Sequence, residues 1–305
     1  MRKVVLIPDS FKGTMSSSEI CLIMAAAIGR HVPDAGVVQL PVADGGEGSV
    51  DAFLAAVGGE RVTTTVTGPF AGEPVEAFYG RLPDGTAVIE MAAAAGLPLV
   101  DGRQAPDRTT THGVGGLMLA AARAGARHLI VGAGGSATND LGMGAAAALG
   151  VRFVDAEGEA FVPTGGTINK IARIDASGLD PAVAACRVTV MCDIDNPLHG
   201  ERGAAHVFGP QKGATPELVA ELDRQLVLGA QLIERDLGLS IADVPGAGAA
   251  GGLAGGLMAF VGAELRQGID VVLDAVDFEA VLDGVDLVFT GEGKIDSQSL
   301  SGKVV

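Results

Sequence analysis

The sequence predicts an α/β protein of two domains, and three observations carry that expectation. At 305 residues the chain exceeds what one hydrophobic core ordinarily organises. Short β-branched runs alternate with stretches of helical periodicity along it. Five of those runs end in loops of glycine, carboxylate and amide residues: Asp9–Gly13, Asp44–Gly48, Gly134–Asp140, Asp193–Pro197 and Gly291–Asp296. In open α/β sheets ligands bind beyond the carboxyl ends of the strands, so this recurrence points to one shared site.

Taken in order, Lys3–Ile7 reads as a strand and Pro8–Gly13 as the loop after it. Ser16 and Glu19 stand at capping-box spacing, which opens a helix running to about Arg30. Val37–Val42 is a second strand, ending in Ala43–Gly48. Val50, Phe53, Leu54 and Val57 then fall on one face of a helix. Arg61–Thr67 is rich in Thr and Val and reads as a strand. Val75–Leu82 and Thr86–Met91 flank Pro83-Asp84-Gly85, a hairpin signal. This antiparallel character places a domain boundary near Thr67–Gly72. Thr109–Gly113 caps an expected helix over Val114–Ala124. Leu129–Val131 is a buried strand, followed by a Gly-rich turn and an Ala-rich helix over Leu141–Leu149. Further strands are expected at Val151–Val154 and Arg187–Cys192. Thr215 as N-cap with Pro216 behind it starts a long helix, whose buried face is Leu218, Leu222, Leu226, Ile233 and Leu237. Gly246–Ala263 carries no charge, but its many glycines make it a packed loop and helix rather than a membrane span. Val285–Thr290 is the last expected strand.

The stretch Leu129–Gly144 combines a strand, a glycine turn and a helix start, the elements of an anion site. Ser136, Thr138, Asn139 and Asp140 can hydrogen-bond a ligand or coordinate a cation; the alternative is a tight turn that uses Gly and Asn only for positive φ. Gly132–Ala137 also fits the relaxed dinucleotide fingerprint, with Asp155 near the acidic position. That fit arises easily by chance in a chain with 46 glycines, and the polar run Ser136–Asp140 suits phosphate plus metal better. Gly246–Gly251 matches the same pattern but no convincing strand precedes it. The G-x-x-x-x-G-K-[ST] loop is absent from the sequence.

Net charge is −16, which argues against a nucleic-acid binder and requires local cations if the substrates are anions. The lysines in Gly-rich loops are Lys12, Lys212, Lys294 and Lys303. Cys21, Cys186 and Cys192 show no metal spacing, and the N-terminus lacks a signal-peptide core, so a cytoplasmic protein is expected. Carboxylates for a divalent cation, backbone N–H groups for phosphate oxygens and a few lysines are what phosphoryl transfer needs.

The chain resembles the type I glycerate kinase family, a bacterial group. The matching segments are Pro8–Gly13, Ala43–Gly48, Gly134–Asp140, Cys192-Asp193, Asn196–Leu198, Val207–Gly213, Gly246–Gly252 and Thr290–Asp296, in order over essentially the whole chain. Leu141 and Lys294 stand where the family often has Gly and Arg. The resemblance implies two domains around an active-site cleft. One is Rossmann- or flavodoxin-like, with a parallel sheet formed by both chain ends, 1–68 plus 285–305. The other is an inserted mixed α/β domain, 69–284. Family members continue several tens of residues past the position of Lys303, so the C-terminal part of the first domain is expected to lie outside this sequence.

The activity implied is ATP-dependent phosphorylation of D-glycerate with Mg²⁺, giving 2-phosphoglycerate in preference to 3-phosphoglycerate. Asp193, placed directly after a buried strand and beside Asn196, is the expected general base or hydroxyl-orienting acid, the alternative being an Asx-turn residue that starts the loop. Asp296 and Glu292 are the expected Mg²⁺ ligands, with Asp44 and Asp140 next. Lys12 and Lys294 are expected to neutralise the transferring phosphate or hold the glycerate carboxylate. Asp44, Gly45, Gly46, Gly134, Gly135, Ser136, Thr138, Asn139, Asp140, Asn196 and Lys212 are the expected substrate or nucleotide contacts. The alternatives are a kinase for another small hydroxy acid, an NAD-dependent oxidoreductase using Gly132–Ala137, and a non-catalytic small-acid binder. Neither a nucleic acid nor a membrane is expected as partner.

Overall fold

A computed structural model describes residues 2–11, 14–42 and 45–293. In chain order the first elements are β1 (Lys3–Pro8), α1 (Ser17–His31), β2 (Gly36–Gln39), α2 (Ser49–Val57), β3 (Glu60–Thr67), β4 (Pro74–Arg81), β5 (Thr86–Glu90) and α3 (Ala92–Ala95). Then come α4 (His112–Arg123), β6 (His128–Gly132), α5 (Met143–Ala148), β7 (Arg152–Val154), β8 (Ala160–Phe161), β9 (Arg173–Asp175), α6 (Pro181–Ala184) and β10 (Arg187–Met191). The last are α7 (Ala204–Phe208), α8 (Pro216–Leu237), α9 (Leu253–Val261), β11 (Glu264–Arg266), α10 (Gly268–Ala275), α11 (Phe278–Val281) and β12 (Leu287–Gly291). The chain is mixed α/β, as its sequence pattern implies. Among the described residues no helix is long and apolar enough to cross a membrane.

Hydrophobic alternation explains the layering. In β1, Val5 and Ile7 join one buried cluster while Val4 and Leu6 pack with Cys21 of α1 on the other face. β1 is the centre of a parallel sheet ordered β12-β1-β2, so strands from both halves of the chain meet there. The larger sheet runs β11-β10-β6-β5-β4-β3, parallel from β11 to β5 and antiparallel beyond. Its strand β6 likewise splits its side chains: Leu129 and Val131 face the cluster with α4 and α9, whereas Ile130 faces Val5, Ile7, Phe53 and Val272. That second cluster joins the small sheet to the large one through α2 and α10. A third core lies under α8, where Leu222, Leu226 and Ile233 meet Phe153 and Phe260, the two rings edge to face at 5.6 Å. Above it β8-β7-β9 forms a small antiparallel sheet.

One expectation is corrected. The boundary placed near Thr67–Gly72 falls inside a hairpin, because β3 pairs with β4 from Glu60↔Arg81 to Thr67↔Pro74. The Pro and Gly residues there punctuate a turn, closed by the Gly68 N–H on the Glu73 carbonyl at 2.6 Å, and not a linker. Residues 60–67 thus belong to the larger sheet, and the chain passes between the two sheets at Gly58-Gly59.

Candidate active site

Four of the five strand-end loops border one cavity of about 900 Å³, well within the size of small-ligand sites. Ser10 follows β1, Gly46–Gly48 follow β2, Ala133–Ser136 follow β6, and Cys192–Ile194 follow β10. The start of α1, Thr14–Ser18, and Gln211 complete the wall. Parallel strands point their carboxyl ends the same way, which is why loops distant in sequence converge. Ser17 ties the corner together: its hydroxyl donates to the Pro8 carbonyl at 2.6 Å and accepts the Val42 N–H at 2.9 Å. The fifth loop lies alongside, since the Asp9 N–H donates to the Gly291 carbonyl at 2.7 Å. Glu292 is half-buried and is not part of the cavity lining. Lys12, Asp44, Lys294 and Asp296 lie outside the described residues.

The glycines of two loops are needed for backbone contact. The Gly134 N–H donates to the Gly45 carbonyl at 3.0 Å. A Cβ on Gly132 would stand 2.4 Å from that same carbonyl oxygen, and one on Gly134 2.5 Å from the Gly46 Cα. The turn is fixed on its other side, where the Leu97 and Ala137 amides bond the Gly135 and Ala95 carbonyls, both at 2.9 Å. The amides of Gly135 and Ser136 have no acceptor among the described residues and sit on the cavity wall. The dinucleotide reading of Gly132–Ala137 loses its premise, because no helix opens there: α5 starts only at Met143.

The rest of the expected ligand loop turns inward. Thr138, Asn139 and Asp140 are fully buried behind the wall and do not line the cavity. Asp140 instead gathers the Thr111 amide (2.7 Å) and hydroxyl (2.9 Å) and the amides of Gly142 and Gly144 (both 3.2 Å). Burial pushes its carboxyl above the usual range, against the pull of the Thr111 donors. Lys212 is also buried, and its Nζ donates to the Thr138 carbonyl at 2.6 Å. Desolvation brings its pKa down to about 7, partly offset by Asp140. Asp140 and Lys212 thus brace the loop from behind the wall. Asn196, also absent from the lining, closes its own loop through Nδ2 on the Arg202 carbonyl at 2.7 Å.

Asp193 does line the cavity, and its Oδ1 accepts the Gly268 N–H at 2.7 Å, holding the carboxylate at the start of α10. With Glu47 and Asp51 it gives the wall oxygen donors suited to a hard cation. Among the described residues no group of three or more His, Cys, Asp or Glu could hold a metal ion by itself. The donor set therefore fits an ion that arrives with phosphate oxygens and keeps its waters, as Mg²⁺ does. Among the described lining residues none is basic. The Ser16–Ser18 run, Glu47 and Gln211 were missed as wall residues; three consecutive serines opening a helix beside a Gly-rich loop were the signal for the first.

A family profile described as the glycerate kinase family matches residues 4–305. A glycerate kinase from Bacillus subtilis (strain 168) is 49% identical over 303 residues, covering 99% of this chain and 79% of the relative. A glycerate 2-kinase from Escherichia coli (strain K12) is 48% identical over 304 residues, covering 99% and 80%. The crystal structure of a chain assigned as glycerate kinase 2 from Salmonella typhimurium LT2 superposes with a TM-score of 0.92 at 48% identity, covering 99% of this chain and 81% of that one.

Proposed function

The chain belongs to the glycerate kinase family and is a kinase, and on that premise we propose that it transfers the γ-phosphoryl group of ATP to the 2-hydroxyl of D-glycerate. The observation that carries this reading is the convergence of four glycine- and acid-bearing loops on one cavity. The 2-position is supported by the name of the 48% identical E. coli relative. Free cysteines at Cys21, Cys186 and Cys192 suit a reducing cytosol as its place of work.

In this scheme the Gly135 and Ser136 amides and the Ser10 hydroxyl donate to phosphate oxygens. Lys12 and Lys294 supply the positive charge that the described wall lacks, one binding phosphate and the other the glycerate carboxylate. Asp193 orients the attacking hydroxyl and takes its proton as that oxygen bonds to the γ-phosphorus and the bridging oxygen leaves with ADP. Glu47, directly or through water, would hold Mg²⁺ together with the nucleotide, and the ion would supply charge neutralisation to the phosphates; Glu292 and Asp296, which follow β12 in sequence, are the other carboxylates expected in that role.

Phosphorus NMR of a reaction with ATP, Mg²⁺ and D-glycerate tests the reading. The expected product is 2-phosphoglycerate with stoichiometric ADP. A 3-phosphoglycerate signal would overturn the position of attack, and no glycerate-dependent ADP would overturn the activity.

A further inference from the structure

Glu90 is a buried carboxylate that the reaction above does not use. It is the last residue of β5, only 3% exposed, and pairs with Gly132 of β6. It therefore stands at the carboxyl end of the larger sheet, in register with the residue just before the Ala133–Ser136 wall. Its Oε1 accepts the Val50 N–H at 2.7 Å. That amide belongs to the first turn of α2, whose N-cap is Gly48 and has no side chain to offer. A helix that begins without its own cap thus takes one from a strand of the other sheet. Burial pushes this carboxyl up and the Val50 amide pulls it back.

The same loop is held in front by the Gly134 N–H on the Gly45 carbonyl. The Gly45–Gly48 segment is therefore clamped between a backbone contact on one side and Glu90 on the other. We propose that Glu90 is a positioning residue: its carboxylate fixes the start of α2 and thereby sets Gly46 and Glu47 at the cavity wall opposite Gly134–Ser136. The catalytic consequence rests on the kinase reading; the clamp itself does not.

Glu90→Ala and Glu90→Gln separate the two. In Glu90→Ala, hydrogen exchange of a peptide spanning residues 46–53 accelerates roughly tenfold or more, as for a lost hydrogen bond to a charged acceptor, while peptides from α4 and β6 exchange as in the wild type. The KM for at least one substrate rises by about the same factor, and Glu90→Gln, which retains one acceptor oxygen, recovers part of both changes. A merely structural role would lower the melting temperature and leave the KM of the folded enzyme unchanged. Should Glu90→Ala not fold, Glu90→Gln alone decides, with faster exchange at Val50, whose amide then bonds a neutral oxygen. Wild-type exchange of that peptide in the folded variant overturns the clamp; wild-type kinetics with a loosened peptide overturn its catalytic role. If the wild-type chain phosphorylates no glycerate, the kinase reading falls and the exchange measurement still judges the clamp.

Discussion

Asp193 presents its carboxylate at the cavity with one oxygen tied to the Gly268 amide. Asparagine keeps an oxygen for that amide but loses the negative charge and the ability to accept a proton. Asp193→Asn is therefore expected to retain the melting temperature within a few degrees and to lose about 10²- to 10⁴-fold in kcat, the usual worth of a general base. Steady-state kinetics beside a thermal melt check this, and turnover within a few-fold of wild type would exclude the base. Lys212 behaves differently. Its pKa drops from an ordinary 10.5 to about 7 on burial, so between those values the unfolded chain binds the proton that the folded chain releases. Stability attributable to Lys212 accordingly rises with pH across that window. Melting temperatures measured from pH 7 to 10 should climb more in the wild type than in Lys212→Met; parallel profiles would contradict the assignment. Nothing local in Pro210–Gly213 distinguishes a lysine that meets a ligand from one that braces a loop. The bond from Lys212 to the Thr138 carbonyl spans 74 positions, and so it was not legible in the sequence.

Elements whose signals are local were legible. The capping box at Ser16 and Glu19 forms with both of its bonds, and Thr215 caps α8 with Pro216 in its first turn. The hairpin around Pro83–Gly85 forms between β4 and β5. The partner of β3 was not legible, because register is a property of two strands and the Thr-rich run says nothing of its neighbour. The loop-to-loop contact was hidden for the same reason: the glycines announced close approach but not to what. That contact carries a prediction. Gly134→Ala drives a methyl into the Gly46 Cα, where backbone on both sides has no room to yield. It should destabilise the protein by about 1–3 kcal/mol and raise KM by shifting the Gly45–Gly48 loop. Denaturant unfolding together with kinetics would detect both; an unchanged midpoint would show that the two loops separate easily.

For the molecule as a whole, the parallel character of the sheets follows from alternating strand and helix signals, but which strand neighbours which does not. The family resemblance supplied the expectation that both chain ends share a sheet. β1 between β2 and β12 is the observed arrangement. Four of the five loops border one cavity, and the Gly134–Asp140 loop presents only its first three residues to it and buries the rest. Burial depends on how α4 and α8 are laid over the sheet, which no single stretch encodes.

The β1–β12 pairing also reaches into biosynthesis. The Lys3 amide bonds the Asp286 carboxylate across 283 positions of sequence. At about 5–20 residues per second, a ribosome delivers the second strand roughly fifteen to sixty seconds after the first. Through that interval Val4–Ile7 leaves the exit tunnel with one flank bare. During synthesis that bare flank of β1 is open to edge-to-edge association.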